Sequence, residues 1–215
     1  MAAVEPGART RVLDDVERDR WRRFTDPGAA RSYAALHILA RTVIGPIVGR
    51  DPAALRFDRS CVVCGLQHGR PRLIDDPTLR LSLSRTRSVV VLATSRAGPV
   101  GVDVERDDAV AFAGFEEVAL HSDDRGRRRR ERDAVPDATA WVRKEAALKA
   151  LGVGLRVDPA SVRTPAPGKP VVVVPGLQPV NVIDLALDLD PDVDAWHSAA
   201  VALVTNAVSV KVHLH

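Results

Sequence analysis

The chain has little with which to fix a fold by covalent or aromatic means. Its 215 residues include two Cys, one Met, three Trp, one Tyr and four Phe. Two cysteines exclude a disulfide scaffold and suit a reducing compartment. With so few aromatic rings, the core must be built from Val, Leu and Ala within the 46% of residues that are hydrophobic. No apolar run has the length of a membrane span, and the charged opening residues, broken by Pro6 and Pro27, hold none of signal-peptide length. A cytoplasmic protein without membrane partners is expected. The net charge of +3 favours anionic partners without demanding nucleic acid.

What is present reads as alternating helical and strand patterns. After a mixed lead-in over 13–24, apolar residues at helical spacing predict a long helix over 29–48, closed by Asp51-Pro52. A strand over 55–63 leads into the loop 64–71. Hairpin arms follow at 79–84 and 89–94, in which Leu79, Leu81 and Leu83 alternate with Arg80, Ser82 and Ser84, predicting one buried and one wet face. A short helix is expected over 112–120, and a second helix over 137–151, capped by Asp137 and ended by Gly152. Strands are expected at 171–174, 180–187, 199–205 and 208–214. Helix followed by antiparallel strands thus occurs twice, which predicts an α+β fold of two similar halves, 1–106 and 107–215, in one globular unit.

Two stretches carry the chemistry. Val100-Gly101-Val102-Asp103-Val104-Glu105 follows a Gly98-Pro99 turn. In a strand, Asp103 and Glu105 share one face roughly 6 to 7 Å apart, a spacing suited to one hard cation. Further on, Trp141-Val142-Arg143-Lys144-Glu145-Ala146-Ala147-Leu148-Lys149 places Glu145 and Lys149 on one helix face at i and i+4. Lys144 points away from that face, and Trp141 reads as core. Taken singly, each motif is also what a solvated strand end or a surface Glu–Lys pair looks like.

Together and in this order, the two stretches resemble the signature of 4'-phosphopantetheinyl transferases of the Sfp type, Gly-x-Asp-x-Glu followed by Trp-x-x-Lys-Glu-x-x-x-Lys. The resemblance implies a pseudo-twofold α+β fold, with coenzyme A and Mg²⁺ (or Mn²⁺) in the cleft between the halves. It implies transfer of the 4'-phosphopantetheine arm of coenzyme A to a serine of an apo acyl or peptidyl carrier protein, releasing 3',5'-ADP. Asp103, Glu105 and Glu145 are the implied metal ligands, Glu145 the base, and Lys149 the group that stabilises the leaving phosphate. Arg31, Arg41, Arg70, Ser84, Arg85 and Lys149 are implied coenzyme A contacts. At Ser84-Arg85-Thr86 the chain departs from the family's Ser-His-Ser or Ser-His-Thr, Arg85 standing for the His, unless a shifted register puts Leu83 there. A monomer is expected. Nothing in the residues separates fatty acid, polyketide and nonribosomal peptide systems of primary or secondary metabolism.

Other features allow other readings. A non-catalytic coenzyme A or carrier-protein binding protein on the same fold is the alternative. The Arg125–Arg132 run suggests nucleic acid, but no aromatic platform accompanies it; it reads as a solvated loop or as a surface that steers an acidic carrier. Asp123 or Asp124 could supply a further acid or cap a helix. Cys61, Cys64 and His68 have part of a zinc-ligand spacing but lack a fourth ligand, and read as two buried thiols near a loop. The acidic positions Asp184 to Asp194 read as a solvated loop, since Val193 replaces the Gly of a calcium loop.

Overall fold

Local capping chemistry sets where the first helices begin. The structure, a computed structural model, describes residues 9–110, 112–128, 137–164, 171–189, 193 and 196–205. Helix α1 (Asp15–Arg22) opens on a capping box, in which the Asp14 side chain accepts from the Glu17 N–H and the Glu17 side chain from the Asp14 N–H. Helix α2 (Pro27–Val48) has Pro27 in its first turn and is capped by Asp26, which accepts from the Ala29 N–H at 2.6 Å. It ends at Gly49, whose φ of 66° is left-handed.

The strand expected over 55–63 shrinks to β1 (Phe57–Asp58), paired antiparallel with β2 (Arg72–Leu73). The rest of that segment is turn, because the backbone closes on itself around Gly65. The hairpin is present as β3 (Arg80–Arg85) and β4 (Val90–Ser95). Its expected wet face is wet at Arg80, but Ser82 is buried and accepts from the Val102 N–H at 3.0 Å.

The strand carrying the two carboxylates, β5 (Val100–Arg106), belongs to a four-stranded antiparallel sheet of order β5-β8-β7-β6, with β6 (Val171–Val172), β7 (Val180–Asp184) and β8 (His197–Leu203). Asp103 lies opposite Ala200 and Glu105 opposite Ser198. The region expected to hold the strand 208–214 lies outside the described residues. Helix α3 (Phe115–Ala119) starts later than expected, after Gly114 at φ 87°. It is followed by α4 (Ser122–Arg128) and by α5 (Asp137–Leu151), which stops at Gly152 with φ 72°.

The two faces of β5 differ. Val100 and Val102 pack with Val201 and Leu203 against Val91 and Ala93 of the hairpin. On the other face α5 lies on the sheet, its Val142, Ala146, Leu148 and Ala150 buried with Val180, Val182, Ala200 and Ala202. The helix comes so close that a Cβ at Gly101 would stand 2.0 Å from the Ala146 carbonyl oxygen and 2.5 Å from the Ala150 nitrogen. Small residues on both sides of this contact bring the Glu145–Lys149 turn down onto the carboxylate strand. The arrangement is α+β, as expected.

A second polar centre ties α1 to α2. Arg41, fully buried, donates to Glu17 at 2.6 Å, to Asp14 at 2.5 Å and to the carbonyls of Pro52 and Leu55 at 3.0 Å. Arg59 reaches the same two carboxylates. Burial pushes the Glu17 carboxyl up, but hydrogen bonds and charge from His37 and Arg41 outweigh it and hold the group down at about 2.

Candidate active site

At the edge of the sheet, β5 has backbone groups turned away from β8, and side chains satisfy them. Ser82 Oγ accepts from the Val102 N–H, Lys149 Nζ donates to the Val102 carbonyl at 3.2 Å, and Arg70 Nη2 donates to the Val100 carbonyl at 2.9 Å. Arg70 Nη1 also reaches the Ala150 carbonyl at 3.4 Å, at the negative end of α5. Three separate segments are thereby pinned to one strand.

Asp103 is the hub. Its Oδ1 accepts from Lys149 Nζ at 2.6 Å and from Ser84 Oγ at 2.7 Å, and the residue is buried. Glu145 sits one turn before Lys149 on α5, half-buried, and its Oε1 is buried with no hydrogen-bond partner among the described residues. Burial, reinforced by the Asp103 charge, pushes the Glu145 carboxyl above its ordinary range, and Lys149 pulls it only partly back. Glu105 is half-buried, and its Oε1 accepts from the N–H of Arg106 at 2.8 Å.

An unpartnered buried carboxylate oxygen beside a second carboxylate is a donor set that suits a hard divalent cation, which takes oxygen ligands and keeps several waters. Asp103 and Glu145 fit such an ion, with Glu105 on the same face of β5. The three are not drawn into a tight cage, and the Asp103–Lys149 ion pair holds part of the charge in check.

Of the other residues singled out from sequence, Ser84 and Lys149 meet at Asp103 and Arg70 lies against β5 and the end of α5, whereas Arg31, Arg41 and Arg85 disperse. Arg85 turns to the opposite side of β3 from Ser84, donating to Ser32 Oγ at 2.7 Å and lying over the rings of Phe24 and Tyr33. Arg31 is exposed on α2. Arg41 must be corrected: it is buried in the α1–α2 centre with four hydrogen bonds, so its guanidinium is not available to a nucleotide. Its partners Asp14 and Glu17 lie far from it in sequence, so a match to the family's Arg positions on the helix did not disclose them.

Lys144, left without a role by the sequence, is fully buried. Its ammonium donates to the carbonyls of Ala119 at 2.6 Å and Pro159 at 3.1 Å and lies 3.5 Å from Asp124. Burial lowers it to about 8 against the opposing pull of Asp124. Asp124 is itself buried and accepts from the Thr164 hydroxyl at 2.8 Å, so it serves this joint. Asp184, read as part of a solvated loop, instead pairs with buried Arg143. Trp141 packs edge-on to Phe115 at 5.9 Å. The Arg125–Arg132 run falls largely outside the described residues; Arg125 itself donates to the Glu116 carbonyl at 3.2 Å. Cys61 and Cys64 are not buried, contrary to expectation: Cys64 is exposed, and its sulfur lies 2.9 Å from His68 Nε2.

Among curated proteins, none matches the chain. A family model does, over a stretch that contains the whole of β5, α5 and β7 and therefore every group that converges on Asp103 from α5. Residues 99–186 match the model of the 4'-phosphopantetheinyl transferase superfamily.

Proposed function

We propose that this protein moves the 4'-phosphopantetheine arm of coenzyme A onto a serine hydroxyl of an apo acyl or peptidyl carrier protein, leaving holo carrier and 3',5'-ADP. The observation that carries the reading is the buried, unpartnered Glu145 Oε1 beside Asp103 and Lys149. Asp103, Glu105 and Glu145 would hold Mg²⁺, which when bound would polarise the pyrophosphate.

The chain's own residues do the rest. Glu145, its carboxyl raised toward neutrality by burial, is the base that takes the serine proton. Lys149 bridges Asp103 and the Val102 carbonyl, so its ammonium stands beside the metal-binding face, where charge develops on the departing phosphate. Ser84 fixes the Asp103 carboxylate from the other side, so that it does not need to be ordered at the moment of reaction. On this reading Arg31, Arg70 and Arg85 flank the coenzyme, and the chain works as two halves meeting near residue 106, with β5 at the join. The metal is Mg²⁺, the enzyme is a cytoplasmic monomer, and its macromolecular partner is the carrier protein. No described helix is long and apolar enough to cross a membrane.

The test is intact-mass analysis of an apo carrier protein incubated with this chain, coenzyme A and Mg²⁺. One added phosphopantetheine, located on serine by fragmentation, is the expected result. An unmodified carrier in the presence of chain that still binds coenzyme A would favour the binding-protein alternative.

A further inference from the structure

The loop between β1 and β2 has almost no apolar means of holding its shape. No residue between Arg59 and Pro71 belongs to any buried apolar cluster of the described structure, although Phe57 and Leu73 on either side do. Val62, Val63 and Leu66 stand 71%, 77% and 65% exposed. The strand pair beneath is two residues on each side, too short to order a loop of this length. Small, coreless units of this kind are ordinarily stapled by a disulfide or a metal.

The loop's backbone nonetheless has a defined course. The Gly65 N–H donates to the Cys61 carbonyl at 2.8 Å with Gly65 in a left-handed conformation at φ 74°, which turns the chain tightly enough to bring Cys64 back beside Cys61. The Val63 N–H points at the Cys61 sulfur at 3.5 Å. Then Cys61 and His68 both donate their N–H groups to the Leu66 carbonyl, at 2.8 and 2.9 Å, folding His68 onto the same spot. At its base the loop is fixed by the Gly69 N–H bonded to the Arg59 carbonyl at 2.7 Å, with Arg59 held by Asp14 and Glu17. The outcome is that one donor atom each from Cys61, Cys64 and His68 lies within 4.8 Å of the others.

From this geometry we infer that Cys61, Cys64 and His68 form a binding site for a zinc-class divalent cation, a staple for the β1–β2 loop that is separate from the carboxylate centre. Two thiolates and an imidazole are soft to borderline ligands that select Zn²⁺ over Mg²⁺. Zn–S near 2.3 Å and Zn–N near 2.0 Å put tetrahedral donors about 3.5 to 3.8 Å apart, so the Cys64 sulfur and His68 Nε2, now 2.9 Å apart, open by about 0.6 Å while the wider separations, all within 4.8 Å, draw in. Binding displaces the two thiol protons, and a water completes the four-coordinate shell, since no fourth His, Cys, Asp or Glu joins the group among the described residues. The missing fourth ligand, which argued against zinc from sequence alone, is a feature of three-ligand sites with one open position.

The inference is independent of the transferase reading, and its readout is metal binding. The full chain, carrying no polyhistidine tag, is reduced with a phosphine, freed of metal and titrated with Co²⁺. One equivalent should bind, with near-ultraviolet sulfur-to-cobalt charge transfer and the visible bands of a tetrahedral site, and Zn²⁺ should displace it. Cys61→Ser and Cys64→Ser should each remove the charge-transfer band, and His68→Gln should weaken binding by at least the roughly tenfold lost when a site's outer partner is removed. Amide exchange across residues 60–70 should slow when zinc is added. Should a Cys variant fail to fold, His68→Gln, which keeps both thiols, carries the test. Absence of a charge-transfer band in the reduced wild type, an unchanged spectrum in Cys64→Ser, or a Cys61–Cys64 disulfide re-forming in place of metal uptake would each overturn the site.

Discussion

Replacing Gly101 by Ala tests whether the close approach of α5 to β5 builds the site. Gly101 does not occupy a left-handed conformation, so the substitution adds no backbone strain, only a methyl group. That methyl would stand 2.0 Å from the Ala146 oxygen, where ordinary contact begins at 3.4 Å, and both nearest obstacles are backbone atoms of α5 that cannot rotate aside. The helix must retreat by more than an ångström. Overpacking of this kind costs about 1 to 3 kcal/mol, occasionally more. The retreat also lifts Lys149 from its 2.6 Å contact with Asp103. A displacement of about 1 Å in a reacting constellation costs on the order of 10²-fold in rate. The assay is a denaturant midpoint beside the turnover of an apo carrier, with Gly176→Ala as control, where φ is 71° but open space surrounds the added methyl. The control should lose about 1 to 2 kcal/mol from its left-handed backbone and keep its turnover. Gly101→Ala with the wild-type midpoint and rate would refute the argument that this glycine seats the helix.

Other substitutions separate structure from chemistry. Glu145→Gln should stabilise the metal-free protein at neutral pH. A carboxyl whose folded value is raised withholds stability above that value and returns it as pH falls toward its unfolded one, so the gain should shrink on acidification; a pH-independent difference in melting temperature would contradict the burial argument. Lys144→Ala should cost about 3 to 5 kcal/mol, because it leaves buried Asp124 and two carbonyls without their cation; a loss below about 1 kcal/mol, measured by denaturant, would show that the joint does not depend on it. Glu17, held at about 2 against an ordinary 4.5, contributes stability that is complete above 4.5 and lost as pH falls toward 2. That loss is on the order of 3 kcal/mol. Glu17→Gln, less stable at neutral pH, should show a flatter acid limb than wild type, and parallel limbs would remove Glu17 from the account of acid unfolding.

What was legible in the sequence followed from short-range geometry. Asp103 and Glu105 share a face because strands alternate, and Glu145 and Lys149 share one because helices repeat near i+4; both relations hold in β5 and α5. The long helix α2 and the stop at Gly152 were readable from apolar spacing and from the freedom of glycine at positive φ. Where sequence reading failed, the deciding partner was distant. Ser82 alternates like a solvent-facing residue, yet β5 lies against it and takes its hydroxyl. Arg41 matches a position where the resembled family carries a coenzyme A contact, yet Asp14 and Glu17 at the start of α1 claim its guanidinium. The expected strand to Val63 looks strand-like in its β-branched residues, but its last residues, Cys61 to Val63, are drawn into the loop by Gly65 and the Leu66 carbonyl.

The central claim is that Glu145, beside Asp103 and Lys149, performs the transfer. Its most direct test is the rate at which an apo carrier protein gains phosphopantetheine, followed by intact mass at saturating coenzyme A and Mg²⁺, for wild type and for Glu145→Ala shown to be folded. A general base contributes about 10²- to 10⁴-fold, and on the proposed reading the variant also loses a metal ligand, so modification should fall by at least about 10²-fold. Turnover within a few-fold of wild type in a folded Glu145→Ala would contradict the account.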